Sequence, residues 1–229
     1  MQKIARVIAE YGISEQPKPW KAEEKIAIKM RQIMSALDNI NKQMTMTNNQ
    51  LEAFNSTGIL DPQVKKSLKS ILRHLDLQKT KLEEQVDKYV SEHYKETEEL
   101  LRSIPGIGKK AAIILILLTD NFSKFDHYKK LIAYIGFSPR VYQSGKSIKG
   151  KGHICKMGQN DARKILYMCA WSAKRHNKSC IDLYQRLKSA GKPEKLIKVA
   201  IANKLLKQAF AIVNSKQKYD KDYVSNICI

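Results

Sequence analysis

Apolar side chains recurring at alternating spacings of four and three residues constrain this chain of 229 residues more than any other feature. Ile26, Met30, Ile33, Leu37, Ile40, Met44, Thr47, Leu51 and Phe54 form an a/d seam broken only by the threonine. Such a seam marks helices that wind about each other, because a repeat of 3.5 residues per turn keeps one narrow stripe facing a partner. The stretch from Asn55 to Pro62 interrupts it with Gly58 and Pro62, neither of which sits comfortably inside a helix. The spacing resumes with Leu68, Leu72, Leu75, Lys79, Leu82, Val86 and Tyr89. The expectation is a coiled-coil hairpin over residues 22–99. It buries its stripe within one antiparallel pair or against a second copy, and keeps its charged faces in water.

The charge excess lies elsewhere. Residues 1–100 hold 16 basic and 15 acidic side chains, whereas residues 101–229 hold 26 basic and 7 acidic. No acidic residue occurs between Asp126 and Asp161, while Lys129, Lys130, Arg140, Lys146, Lys149, Lys151 and Lys156 fall inside that stretch. A merely solvated surface intersperses both signs. A one-sign stretch is the footprint of a polyanion, the phosphate backbone of DNA or RNA. The near-neutral hairpin is left for spacing and self-association.

Other classes are excluded. The longest apolar run, Ala111 to Leu118, is eight residues, against about 20 for a bilayer span. Lys3, Arg6 and Glu10 place charges where a secretory leader needs an apolar core. Cys155, Cys169, Cys180 and Cys228 show no Cys-x-x-Cys spacing, and His153 with Cys155 has no second pair. Neither a disulfide framework nor a zinc site is implied. A cytoplasmic protein without membrane contact is expected.

The basic half opens on Leu100-Leu101-Arg102-Ser103-Ile104-Pro105-Gly106-Ile107-Gly108-Lys109-Lys110, which reads as a helix, a tight turn and a new helix. This is the helix–hairpin–helix pattern. Gly106 and Gly108 let the backbone approach a phosphate, amides at the new helix start donate to its oxygens, and Lys109 and Lys110 add charge. Such a contact fixes position without reading sequence. A short helix from about Asp126 to Ile135 follows, and then Gly136 to Gly158, which holds five of the ten glycines and reads as a Gly/Lys-rich loop. Gly145-Lys146-Ser147 is no P-loop, because Arg140 stands where the first glycine belongs. Helices are expected again from Asn160 as N-cap through Arg175, and from Pro193 through Val213. Residues 1–21 fall outside the seam. Ile4 to Ala9 reads as the end of a helix closed by Gly12, with an extended connector through Pro17, Pro19 and Trp20. Residues 216–229 are a polar tail. The fold class is all-α, a long hairpin followed by a helical domain.

Four ordered segments then resemble a known family. They are Ser103 to Gly108, Leu131 to Arg140, Gln143-Ser144-Gly145, and Lys156 to Leu166 with its Gly158-Gln159-Asn160-Asp161-Ala162-Arg163-Lys164 core. Together they look like the C-terminal domain of insertion-sequence transposases of the Piv-like, bridge-RNA-guided recombinase family. The resemblance covers about residues 100–215, and a coiled coil before that domain is also a family feature. It implies a DNA transposase or site-specific recombinase whose nucleophile is Ser144, with Ser138 and Ser147 as lesser candidates. Gly106, Gly108, Lys109, Lys110, Arg140, Lys146, Lys149, Lys151, Lys156, Arg163 and Lys164 are the expected DNA-binding residues. The family opens with an RNase-H-like domain bearing four acidic, metal-binding residues, and residues 1–21 resemble its end and linker. The expectation is thus an N-terminally truncated chain, inactive alone, with no cofactor of its own and Mg2+ held by the missing domain. Expected partners are DNA, a structured guide RNA and a second copy through the coil. The alternative is a non-catalytic DNA- or RNA-binding module that pairs with and regulates a full-length transposase.

Overall fold

The computed structural model describes residues 2–16, 24–140, 143–144, 148–149, 153–154 and 158–222. Helix α1 spans Gln2–Glu15. It runs past Gly12, where the sequence reading closed it. A glycine inside a helix costs about 1 kcal/mol relative to alanine, and that penalty is too small to stop a helix. An Arg6–Glu10 pair at 2.8 Å spans the preceding turn, and the chain leaves the helix only at Gln16, with φ 41°.

Helices α2 (Lys25–Ser56) and α3 (Pro62–His93) form the hairpin and pack on each other. Met30, Leu37 and Val86 are buried, and every other seam position named above, Thr47 and Lys79 included, is at least half-buried. The turn between them is specified locally. Gly58 takes φ 74°, and the Asp61 carboxylate accepts from the backbone N–H groups of Gln63 (2.8 Å) and Val64 (3.0 Å). Pro62 occupies the first helical position, where its missing N–H costs nothing. At the other end Ala27, Met30, Leu37, Val86, Val90 and Tyr94 join the core of the second half. Arg31 reinforces that junction by donating to the Leu117 carbonyl at 2.7 Å.

Among its described residues the second half is helical apart from a ribbon of two short ladders. Helices α4 (Lys95–Arg102), α5 (Lys109–Thr119) and α6 (Tyr128–Ile135) precede the ribbon. Helices α7 (Asn160–His176), α8 (Lys178–Ser189) and α9 (Glu194–Ser215) follow it. Helix α9 is the central post: Ile201, Ala202, Leu205, Leu206 and Ala209 are wholly buried, and it packs on α4, α6, α7 and α8. A helix apolar on most of its faces has to be enclosed in this way. The helix expected from Asn160 through Arg175 is α7, and α8, which the sequence pattern does not predict, starts just after Asn177. Its buried side chain accepts from the Cys180 N–H at 3.3 Å and so caps α8. The N-cap of α7 is Gln159, one residue earlier than expected.

The expected Gly/Lys-rich loop contains two short antiparallel ladders. Strand β1 (Pro139–Arg140) pairs with β4 (His153–Ile154), and β2 (Gln143–Ser144) pairs with β3 (Ile148–Lys149).

Two glycines hold this framework at close approaches. Gly106 has φ 109°, and a Cβ there would lie 2.7 Å from the Cβ of Ala173 on α7. Gly158 has φ 102°, and a Cβ would lie 2.9 Å from the Tyr134 carbonyl oxygen. Gly108, by contrast, has open space around it and an ordinary φ of −88°. Gly106→Ala is therefore expected to destabilise the chain by about 3 kcal/mol, from overpacking and a left-handed non-glycine residue. That corresponds to a melting temperature roughly 6–12 °C lower for a chain of this size. Gly108→Ala should cost under about 1 kcal/mol. Equal thermal shifts for the two variants would contradict this reading.

Candidate nucleic-acid interface

The turn between α4 and α5 is anchored from below and bare on top. Ile104 and Ile107 are buried, and the Ser103 hydroxyl donates to the Leu100 carbonyl at 2.6 Å. Behind the turn, the Asn177 side-chain amide donates to the carbonyls of Pro105 (3.4 Å) and Gln208 (3.0 Å), while its own oxygen accepts from the Tyr219 hydroxyl (3.1 Å). Above, Gly108 is the N-cap of α5 and offers no side chain to bond the first-turn amides. Those amides point along the axis with the positive end of the helix dipole, the arrangement that receives an anion.

Two depressions border this helix start. Gly106, Gly108, Lys110, Met168 and Ser172 line an open hollow of about 520 Å³ between the turn and α7. A groove of about 790 Å³ runs between the base of the hairpin, α5 and α7. Lys109, Lys110 and Lys164, all expected to bind DNA, reach this groove together with Lys42 of the hairpin. Each lysine meets a different environment. Lys109 is ion-paired with Asp87 of α3, and both side chains are nearly half exposed. Lys164 lies 3.4 Å from Asp161. Such exposed pairs contribute under about 1 kcal/mol and yield readily to a phosphate. Lys42 approaches Asp38 at 2.6 Å. The hydrogen bond from Lys42 is the main reason the Asp38 carboxyl sits below its ordinary pKa, and the charges of Lys110 and Lys164 add to it. Lys110 forms no ion pair with the described residues.

The remaining expected residues divide. Arg163 turns inward and donates to the Ile135 carbonyl at 2.8 Å, closing the end of α6. Arg140 and Lys149 lie in ladders opposite His153 and Gln143. Ser144 closes β2, opposite Ile148. Ser138 is half-buried just before β1. Lys146, Ser147, Lys151 and Lys156 lie outside the described residues. Lys42, Asp38 and Asp87 were missed by the sequence reading, because the hairpin's balanced charge gives no hint that its base borders the turn.

Residues 98–185 match the model of the transposase IS116/IS110/IS902 family. This stretch contains the turn, the ribbon and α7. Over this stretch the chain is similar to IS110-type transposases. The chain is similar to the pilin gene-inverting protein of Moraxella lacunata, with 29% identity over 220 residues, 95% of this chain and 66% of that protein. The same protein of Moraxella bovis gives the same figures. An insertion element IS110 protein of Streptomyces coelicolor is 26% identical over 164 residues, 72% of this chain and 40% of its own length. The chain thus spans about two thirds, or less, of the length of these relatives. Within the matched stretch lie Lys109, Lys110, Lys164, the ribbon with Ser144, and Asn177; Lys42, Asp38 and α9 lie beyond its limits. No helix among the described residues is long and apolar enough to cross a membrane.

Proposed function

We propose that this chain handles DNA in recombination, holding its backbone at the groove and supplying Ser144 as the nucleophile of strand cleavage. The observation that carries the first part is the shared position of the uncapped start of α5, Lys110, Lys164 and Lys42 along one groove. Amides and ammonium groups at that position recognise phosphate and not base edges, as a recombinase scaffold requires. The second part rests on the family resemblance and on the ribbon. It carries Ser144 between α6 and α7, four residues from Arg140 and five from Lys149 in sequence. In the proposed step the Ser144 hydroxyl loses its proton and its oxygen attacks the phosphorus. A phosphodiester to the serine forms as the bond to the leaving deoxyribose oxygen breaks, and that oxygen takes up a proton. Cationic neighbours stabilise the charge on the phosphoryl oxygens.

The described residues do not fit a Mg2+ site. No group of three or more His, Cys, Asp or Glu side chains among them could hold a metal. Asp126 and Asp161 pair with Lys130 and Lys164, and Asp120 ends α5 in a left-handed cap. Metal assistance to Ser144 is proposed to come from an acidic domain outside these residues. A structured guide RNA is proposed as a second polyanionic ligand. Self-association is proposed through the outer hairpin face, where Met46, Ile71 and Leu77 are exposed.

The test is equilibrium binding of duplex DNA at a series of salt concentrations. Lys110→Ala with Lys164→Ala should weaken binding to all sequences alike and reduce the salt slope by about two. An unchanged slope would show that the groove does not hold the backbone.

A further inference from the structure

We propose that the exposed stripe of α7 centred on Trp171 is a stacking platform for an unpaired base of the bound nucleic acid. This deepens the nucleic-acid reading above and rests on it. Helix α7 buries Ala162, Leu166, Ala170 and Ala173. The opposite positions, Lys164, Met168, Trp171 and Arg175, are all exposed, at successive spacings of four, three and four. They form one outward stripe of cation, thioether, indole and cation. After Asp161 the helix carries no acidic residue. Met168 is 64% and Trp171 43% exposed, a large apolar surface to leave in water on a face that also carries charge.

The indole is held for use. The Lys198 ammonium from α9 lies 3.5 Å from the ring centre, and that of Lys174 lies 5.2 Å away. Lys198 is itself buried, and the Glu194 carboxylate accepts from Lys174 at 2.9 Å and lies 3.6 Å from Lys198. One face of the ring is therefore occupied by a buried cation held in an ion-paired cluster, and the exposed part is presented with its rotamer already ordered. Ordering before binding lowers the entropic cost of contact. Exposed aromatics beside basic side chains are the chemistry that holds unpaired bases, since every base offers a face to stack.

Position decides the occupant. Met168 belongs both to the stripe and to the hollow beside Gly106 and Gly108. Trp171 lies three residues further along α7, about 4.5 Å in rise. A strand whose phosphate sits on the start of α5 would carry its next base past Met168 toward the indole. A protein partner would need a wider apolar patch. The stripe is narrow and ends in a cation on either side.

The test uses duplex DNA with flush ends, the same duplex with a single-stranded overhang, and an RNA hairpin with an unpaired loop, each titrated into the full chain. The wild type should bind the two probes with unpaired bases about tenfold more tightly than the flush duplex. Trp171→Ala should remove that preference and leave flush-duplex binding unchanged, and Trp171→Phe should restore part of it. With Trp20→Phe, Trp171 is the single tryptophan, and its fluorescence should be quenched by the unpaired-base probes and not by the flush duplex. Equal losses for all probes in Trp171→Ala, or an unquenched Trp171, would overturn the platform while the groove reading stands. Binding to none of the probes by the wild type would overturn both. Preference for one of the overhang and RNA probes, lost in Trp171→Ala, would identify which strand chemistry the platform takes.

Discussion

A Ser144→Ala chain is expected to form no covalent adduct with DNA under conditions in which the unsubstituted chain does. The assay combines the chain with Mg2+, donor DNA, structured guide RNA and a separately supplied acidic domain. It reads labelled DNA that stays with protein through denaturation. Attack requires an oxygen on residue 144, and alanine has none. The loss should be complete within detection, at least a thousandfold, because a covalent path has no partial substitute. Ser144 is the last paired residue of β2, and the substitution leaves the backbone pairing with Ile148 available. DNA binding and melting temperature should therefore change little. Without the acidic domain even the unsubstituted chain should yield no adduct. An adduct formed by this chain alone would show that its own residues complete the site.

Raising salt from 50 to 200 mM is expected to weaken DNA binding about a thousandfold. The net charge of +20 is carried almost entirely by residues 101–229, so affinity has to come from displacing counterions of the phosphate backbone. About six neutralised phosphates give a slope near −5 on a double-logarithmic plot, which produces this loss over a fourfold change in salt. The acidic neighbours Asp38, Asp87 and Asp161 moderate the figure, since each holds a groove lysine that a phosphate must win. Asp87→Asn should accordingly raise low-salt affinity by a few-fold. A slope near zero in an anisotropy titration would mean that the groove is not a backbone site.

The hairpin was legible because a seam repeated every seven residues leaves few alternatives. Each seam position from Ile26 to Tyr89 lies at least half-buried. The turn at Gly106 was legible for its shape and less so for its cause. Its glycine is required chiefly by contact with Ala173, a neighbour 67 positions away that no local pattern reveals. The ribbon escaped because strands of two residues are too short to show alternation. The end of α7 was legible, whereas α8 escaped because Asn177, and not glycine or proline, marks its start. Charge alone also treated Arg163 and Lys164 as equivalent. In the fold, one guanidinium closes α6 through the Ile135 carbonyl while its neighbour's ammonium borders the groove. Trp171 could have been singled out from its spacing with Lys164, Met168 and Arg175, but only the structure shows the cation beneath its ring.

The most direct measurement is to trim the DNA from the covalent adduct with nuclease, digest the protein, and locate the remaining nucleotide by mass spectrometry. The expected result is a nucleotide esterified to Ser144, in the peptide released by cleavage at Arg140 and Lys146. A nucleotide on Ser138, on Ser147 or on the acidic domain would contradict the assignment of this serine as the nucleophile.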